Sequence, residues 1–380
     1  MNSRRTRLRS ALAVILTVLV LVPTAVLFGR VWSENSVQRD QTNLEKKGVE
    51  YITALTPLIS ALAESQSSAL QGVTAPPDSL TAAVARVTAV DNSLGDDLKT
   101  KERWADLQSK IGKLPKTTGG TLAVLQAHVE TSDLALALYA AVRRNSELNR
   151  DPDSDISNLQ QAVAIDMPTT VVLVSRMGDF ANILQSPNAQ IRATVGVQFG
   201  QEVLAVQDSV NKLTESLQAA VDDTRSSTLS GSLVSTLDSF RRGVESMTRG
   251  ANPGGAPNVA TMSTAQTALQ TSLNALAGVT LKEMANLLED RSDKLAYRRG
   301  EALVMGLLAV LLVLAALIWP MALRRREPAA PAPTAPTGES NRDVASARPA
   351  AGYGGGGPYD LQPAYGDIDP TRRERSGALR

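Results

Sequence analysis

Apolar residues recur along this chain at helical spacing almost from end to end. Val37, Leu44, Tyr51 and Leu58 form one row at a heptad step, and Leu55 and Leu62 mark a second row. That period belongs to a helix packed in a bundle or coiled coil. Pro57 lies inside the row and is expected to bend or break it, because proline removes an intrahelical hydrogen bond. The first helix should reach about Gln71, where GVTAPPDS reads as a loop. Asp78 or Ser79 can cap a second helix running to about Lys113. After the break from Leu114 to Gly120, a third helix is predicted from Thr121 to about Leu148. The DPDSD sequence, Asp151 to Asp155, interrupts the chain before a fourth helix that runs to about Gln185 with Pro168 inside it. Ser186 can cap a fifth, with Pro187 at its first position. Its apolar row is Val203, Leu204, Val210, Leu213, Leu217 and Val221, continuing with interruptions to about Met247. After the loop from Ala251 to Asn258, a sixth helix carries Leu269, Leu273, Leu276, Leu281, Met284, Leu288 and Leu295. No segment reads as a strand. The expected fold is all-α: an elongated antiparallel bundle of about six helices, with two stacked four-helix modules as an open variant.

Two long stretches break the amphipathic pattern because they are apolar all round. Residues 11–29 and 302–323 contain no charged residue. A helix needs roughly 20 apolar residues to cross a hydrocarbon core of about 30 Å. Arg4, Arg5, Arg7 and Arg9 precede the first stretch, and Arg324, Arg325 and Arg326 follow the second. By the positive-inside rule this predicts two transmembrane helices with both termini cytoplasmic, in the cell membrane. A cleaved signal peptide is the competing reading of the first stretch, but the run exceeds a usual apolar centre and no A-x-A site follows it. The expected organisation is a basic cytoplasmic N-terminus (1–10), a first span (11–29), an extracytoplasmic bundle (30–299), a second span (300–323) and a cytoplasmic tail (324–380). The first and last helices of the bundle, being tied to the two spans, should come together and lie antiparallel.

Composition narrows the chemistry. With no cysteine in the chain, thiol catalysis, iron–sulfur clusters and thiolate zinc sites are excluded, and the bundle must hold by packing alone. A formal net charge of +1 argues against a nucleic-acid binder. The tail, with PAAPAPTAP and AGYGGGGPY, has too few apolar residues to fold and is expected to be disordered.

Candidate sites are few. DPDSD places acidic residues at alternate positions, like the start of an EF-hand. However, Ile156 stands where the required glycine belongs and Ala162 where the bidentate glutamate belongs. Helix capping by Asp151 and Asp153 around Pro152 is the better account, and no metal or other cofactor is expected. His128, the single histidine, has no nucleophile motif beside it and reads as structural. The run Gly354 to Gly357 lacks the Lys-Ser/Thr ending and following helix of a phosphate loop. Nothing argues for an enzyme. Arg143, Arg144 and Asn145 end the third helix, where cations pair with the helix dipole. Held inside a bundle, an arginine there could instead bind an anion bidentately, which makes the three a candidate ligand site. Ala302 and Gly306 form a small-xxx-small pair that permits close helix approach.

Three phrases together resemble the helical extracytoplasmic sensor region of some bacterial methyl-accepting chemotaxis receptors and sensor histidine kinases. They are GVEYITALTPLISAL (48–62), ERWADLQSKIGKL (102–114) and NSELNRDPDSD (145–155), joined by Pro168 on the following helix. The chain departs from the pattern at Ser65-Gln66-Ser67, where the family often carries His-Arg-Gly. It departs again after the second apolar stretch, where such receptors continue into a signalling module. The resemblance implies a sensor-like receptor that acts through a membrane or cytoplasmic protein partner, with the lipid bilayer around its spans and a homodimer left open. The alternative is a structural or assembly scaffold of the bacterial cell envelope.

Overall fold

A computed structural model describes residues 2–149, 151–224, 227–252 and 256–324. The chain divides into two units, 1–321 and 322–380. Of the second unit only 322–324, the end of the last helix, is described, so the predicted tail lies outside the described residues. The described residues form α1 (Asn2–Leu70), α2 (Asp78–Leu94), α3 (Lys101–Ile111), α4 (Thr121–Asn145), α5 (Ser154–Gln161), α6 (Met167–Ile183), α7 (Ala189–Asp223), α8 (Ser227–Ala251) and α9 (Val259–Arg324). No strand occurs among the described residues. The expected all-α class is therefore what the chain adopts.

Packing follows the apolar rows. Tyr51, Leu55, Leu58 and Leu62 are all at most 1% exposed, on the face of α1 that meets α2, α4 and α6. Each such side chain contributes about 1.5–3 kcal/mol by leaving water. Val37, predicted in the same row, is 63% exposed, so the packed part of the heptad begins at Leu44. On α7, Val203, Val210, Leu213 and Leu217 are buried as expected, whereas Leu204 faces solvent. Helix α9 runs antiparallel to α1, as five pairings show. Ser60 meets Asn274, Lys46 meets Glu289, Glu45 meets Arg291, Asn35 donates to the carbonyl of Leu295, and Phe28 packs on Gly306. Residue numbers fall on one helix as they rise on the other.

Several predicted boundaries shift for identifiable reasons. Helix α1 passes through Pro57 without a break, because tertiary packing on both sides of the proline holds the segment straight enough to stay helical. The predicted second helix splits into α2 and α3 where Lys99 takes a left-handed conformation, φ +51°. The Asp91 carboxylate stabilises that corner, accepting from Tyr51 at 2.7 Å and Thr100 at 2.6 Å. Helix α4 stops at Asn145, three residues early, before Glu147 at φ +60°. The cap of α7 is Asn188, not Ser186: its side chain accepts from the amides of Gln190 and Ile191. Between α5 and α6 the chain makes a π-turn, Ala162–Asp166, just ahead of Pro168. The missing proline N–H and the wider turn belong together, since the proline ring cannot approach the carbonyl four residues back.

The membrane expectation does not stand. Among the described residues no helix is long and apolar enough to cross a membrane. The side chains of 1–14, 16 and 17 lie outside the described residues, as do those of 316, 317 and 319–324. The two-span topology and its cell-membrane localisation fall with it. Gly306, read as half of a small-residue pair, instead gives room to the Phe28 ring, whose nearest carbon lies 3.1 Å from where a Cβ would stand.

Candidate functional site

The DPDSD interruption joins α4 to α5, and neither Asp151 nor Asp153 caps α5, although Asp155 accepts from the N–H of Ile156 in its first turn. Asp153 stands at the N-cap position without a side-chain cap bond. The Asp151 side chain accepts from the backbone N–H of Asp153 at 2.8 Å, closing a tight local turn. Both carboxylates then turn toward Arg291, on the far helix α9. Arg291 Nη1 and Nη2 grip the two oxygens of Asp151 at 2.9 and 2.5 Å, and Nη2 also reaches Asp153 at 2.7 Å. On its other side Nη1 donates to Glu45 of α1 at 3.2 Å. One guanidinium therefore ties α1, α9 and the α4–α5 loop. The planar fork of arginine makes this possible, because its donors spread over two edges.

Burial makes this knot energetically consequential. The side chains of Glu45 and Asp151 are fully enclosed, and that of Arg291 is 16% exposed. Burial opposes the guanidinium charge, but the bonds to Asp151 and Asp153 and the charge of Glu45 outweigh it and hold the arginine protonated. Glu45 is pushed up to about 8, first by burial and then by the Asp151 charge, against the opposing pull of Arg291, Gln41 and Gln160.

Beside the knot lies a groove of about 440 Å³ between α1, α2 and α9, lined by Lys46, Val49, Thr53, Ala54, Val90 and Leu288 among others. Its floor is apolar, and Glu50, Arg86 and the Lys46–Glu289 ion pair stand at its edge. Lys46 and Glu289 neighbour Glu45 and Arg291 in sequence, so groove and knot share two helices. The volume lies within the usual range of small-molecule sites.

The proposed ligand residues do not converge. Arg143 donates to Gln161 at 3.0 Å, and burial lowers its pKa against the Asp166 charge. Asn145 donates to the carbonyl of Leu98 at 2.7 Å, which pins the end of α4 to the α2–α3 corner. Arg144 is exposed. Sequence reading missed Arg291 because it sits in LEDRSDK, which looks like a solvated helix face. The available signal was Glu45, a carboxylate immediately after Leu44 in the packed row.

Two other buried polar groups are internal ties. Asp179 accepts from Gln66 at 2.8 Å and Ser67 at 2.9 Å, and burial pushes it up to about 6. The departure triplet Ser65-Gln66-Ser67 thus binds α6. His128 is 3% exposed and burial pulls it down to about 4, so it is neutral at physiological pH. No group of three or more His, Asp or Glu among the described residues is placed to hold a metal ion. Comparison with protein-family models, with curated proteins and with solved structures returns no match for this chain, and the functional reading rests on the geometry above.

Proposed function

We propose that the chain is a sensor-like helical bundle of receptor type: a small ligand enters the groove between α1, α2 and α9, and a separate protein reads the resulting shift of α9 against α1. The observation that carries this reading is the adjacency of groove and knot on the same two helices. A ligand wedged between α1 and α9 works directly against the arginine that sets their register. Packed interfaces of this kind favour discrete arrangements over continuous deformation, so a small displacement can be relayed along the pair. The finer architecture, an elongated antiparallel bundle, belongs to the same proposal. It is supported by the 69 residues of α1, which extend about 100 Å at 1.5 Å per residue.

The phrases that carry the resemblance meet in the fold. Gly48 of the first phrase packs on Ser146 and Leu148 of the third, so closely that any Cβ would overlap them. Trp104 and Leu107 of the second are buried in the same core. A structural scaffold would need no groove and would show no small-molecule response.

Thermal melting of the full-length protein against a panel of amphipathic small molecules tests the proposal. At least one compound should raise the melting temperature, by linkage, and Ala285→Trp should abolish the rise. Ala285 lines the groove but is exposed, so the bulky ring fills the site without entering the core. A rise that persists in the variant would place the ligand elsewhere. An unresponsive protein that co-purifies with a stable partner would favour the scaffold.

A further inference from the structure

The knot contains more acid than its one cation can balance. Arg291 serves three carboxylates, and they are not served equally. Asp151 takes two guanidinium bonds and the Asp153 amide. Asp153 takes one guanidinium bond and is 61% exposed, so water screens the rest of its charge. Glu45 is left with long bonds from Arg291 at 3.2 Å and Gln41 at 3.5 Å, with the Gln160 amide as a further donor, inside a fully enclosed site. An ionised carboxylate in that position lacks the bonds that would replace its hydration.

The neighbouring amide does not make up the difference. Gln160 of α5 is fully buried and faces Glu45. Its amide nitrogen reaches Asp151 at 3.3 Å, but its carbonyl oxygen has no donor. The one amide group is thus shared between Asp151 and Glu45 and cannot fully serve either carboxylate. The groups facing Glu45 are thus Gln41 on its own helix, Arg291 on α9, Asp151 in the α4–α5 loop and Gln160 on α5. The Lys46–Glu289 pair flanks it on the exposed side.

We propose that Glu45 is a proton-binding site, and that its proton latches the α4–α5 loop onto α1 and α9. With the proton bound, Arg291 faces two charged carboxylates, one of them screened by water. When the proton leaves to solvent, two buried carboxylates face each other across one guanidinium, and the loop loosens.

The sign follows from the direction of the shift. Glu45 stands at about 8 in the folded chain against an ordinary value of 4.5. Its contribution is therefore fully present below the ordinary value and is lost as pH rises through the folded one. An opening that exposes Glu45 should become up to about tenfold more frequent per pH unit below about 8, and level off above it. Burial places Asp179 at about 6 and His128 at about 4, both below the interval from pH 6.5 to 9 over which Glu45 changes charge.

Amide hydrogen exchange across 151–156 in the full-length protein, corrected for intrinsic base catalysis, reads the opening. The wild type should show the rise and the plateau. Glu45→Gln, which mimics the protonated carboxyl, should flatten the profile, while Asp179→Asn should leave it in place. In parallel, carbon-13 NMR of the wild-type glutamate carboxyls should find one titrating near 8 that disappears in Glu45→Gln. A Gln variant that keeps the wild-type rise, or a Glu45 carboxyl that titrates below pH 5, would overturn the proposal.

Discussion

Replacing Arg291 with alanine should lower the stability of the bundle by about 3–5 kcal/mol, read as a fall in the urea midpoint with little change in slope. The size comes from what stays behind. Asp151 remains enclosed with no cation and cannot reach water without local opening, and Glu45 loses the guanidinium bond it accepts. The exposed pairs of the molecule, such as Lys212–Asp208, are screened by water and should contribute little. Arg291→Lys should recover only part of the loss, because an ammonium cannot grip Asp151 bidentately and still reach Glu45. A loss below about 1 kcal/mol for the alanine variant would mean the knot is a surface ornament.

Gly48→Ala should destabilise by about 1–3 kcal/mol, although alanine is ordinarily the better helix former. Gly48 is helical, so backbone freedom is not the reason for glycine there. The methyl group would meet the side chain of Ser146 and Leu148 Cδ1, the latter 2.7 Å away. Leu148 is fully buried and Ser146 is bonded back to Val142, so neither can step aside cheaply. The same change at Gly278, where nothing stands within 4 Å, should be neutral or slightly stabilising. Matched melting curves of the two variants separate packing from propensity.

These two sites also show where sequence reading stops. Helical period placed α1, α4, α7 and α9 because each buries one apolar stripe, and a stripe is visible locally. The split at Lys99 was not visible. It depends on Asp91 accepting from Tyr51, forty residues earlier in the chain, as well as from nearby Thr100. The α4–α5 interruption was legible from DPDSD, but the direction of its carboxylates was not. Capping is the local use of an aspartate, and the competing partner lay 140 residues away on another helix. The apolar groove was equally hidden, since its walls come from three helices that meet only in the fold. Arg143 was a reasonable candidate from its place at a helix end, and the structure shows its guanidinium donating to Gln161 of α5.

The central claim is that one arginine holds α1, α9 and the α4–α5 loop together. The absence of cysteine allows clean paired labelling, and Gln38 on α1 and Ser154 at the start of α5 are both exposed. Pulsed dipolar spectroscopy on the full-length Gln38→Cys, Ser154→Cys protein should give one narrow distance distribution. Adding Arg291→Ala should broaden it while circular dichroism stays helical. Identical narrow distributions with and without Arg291 would contradict the account.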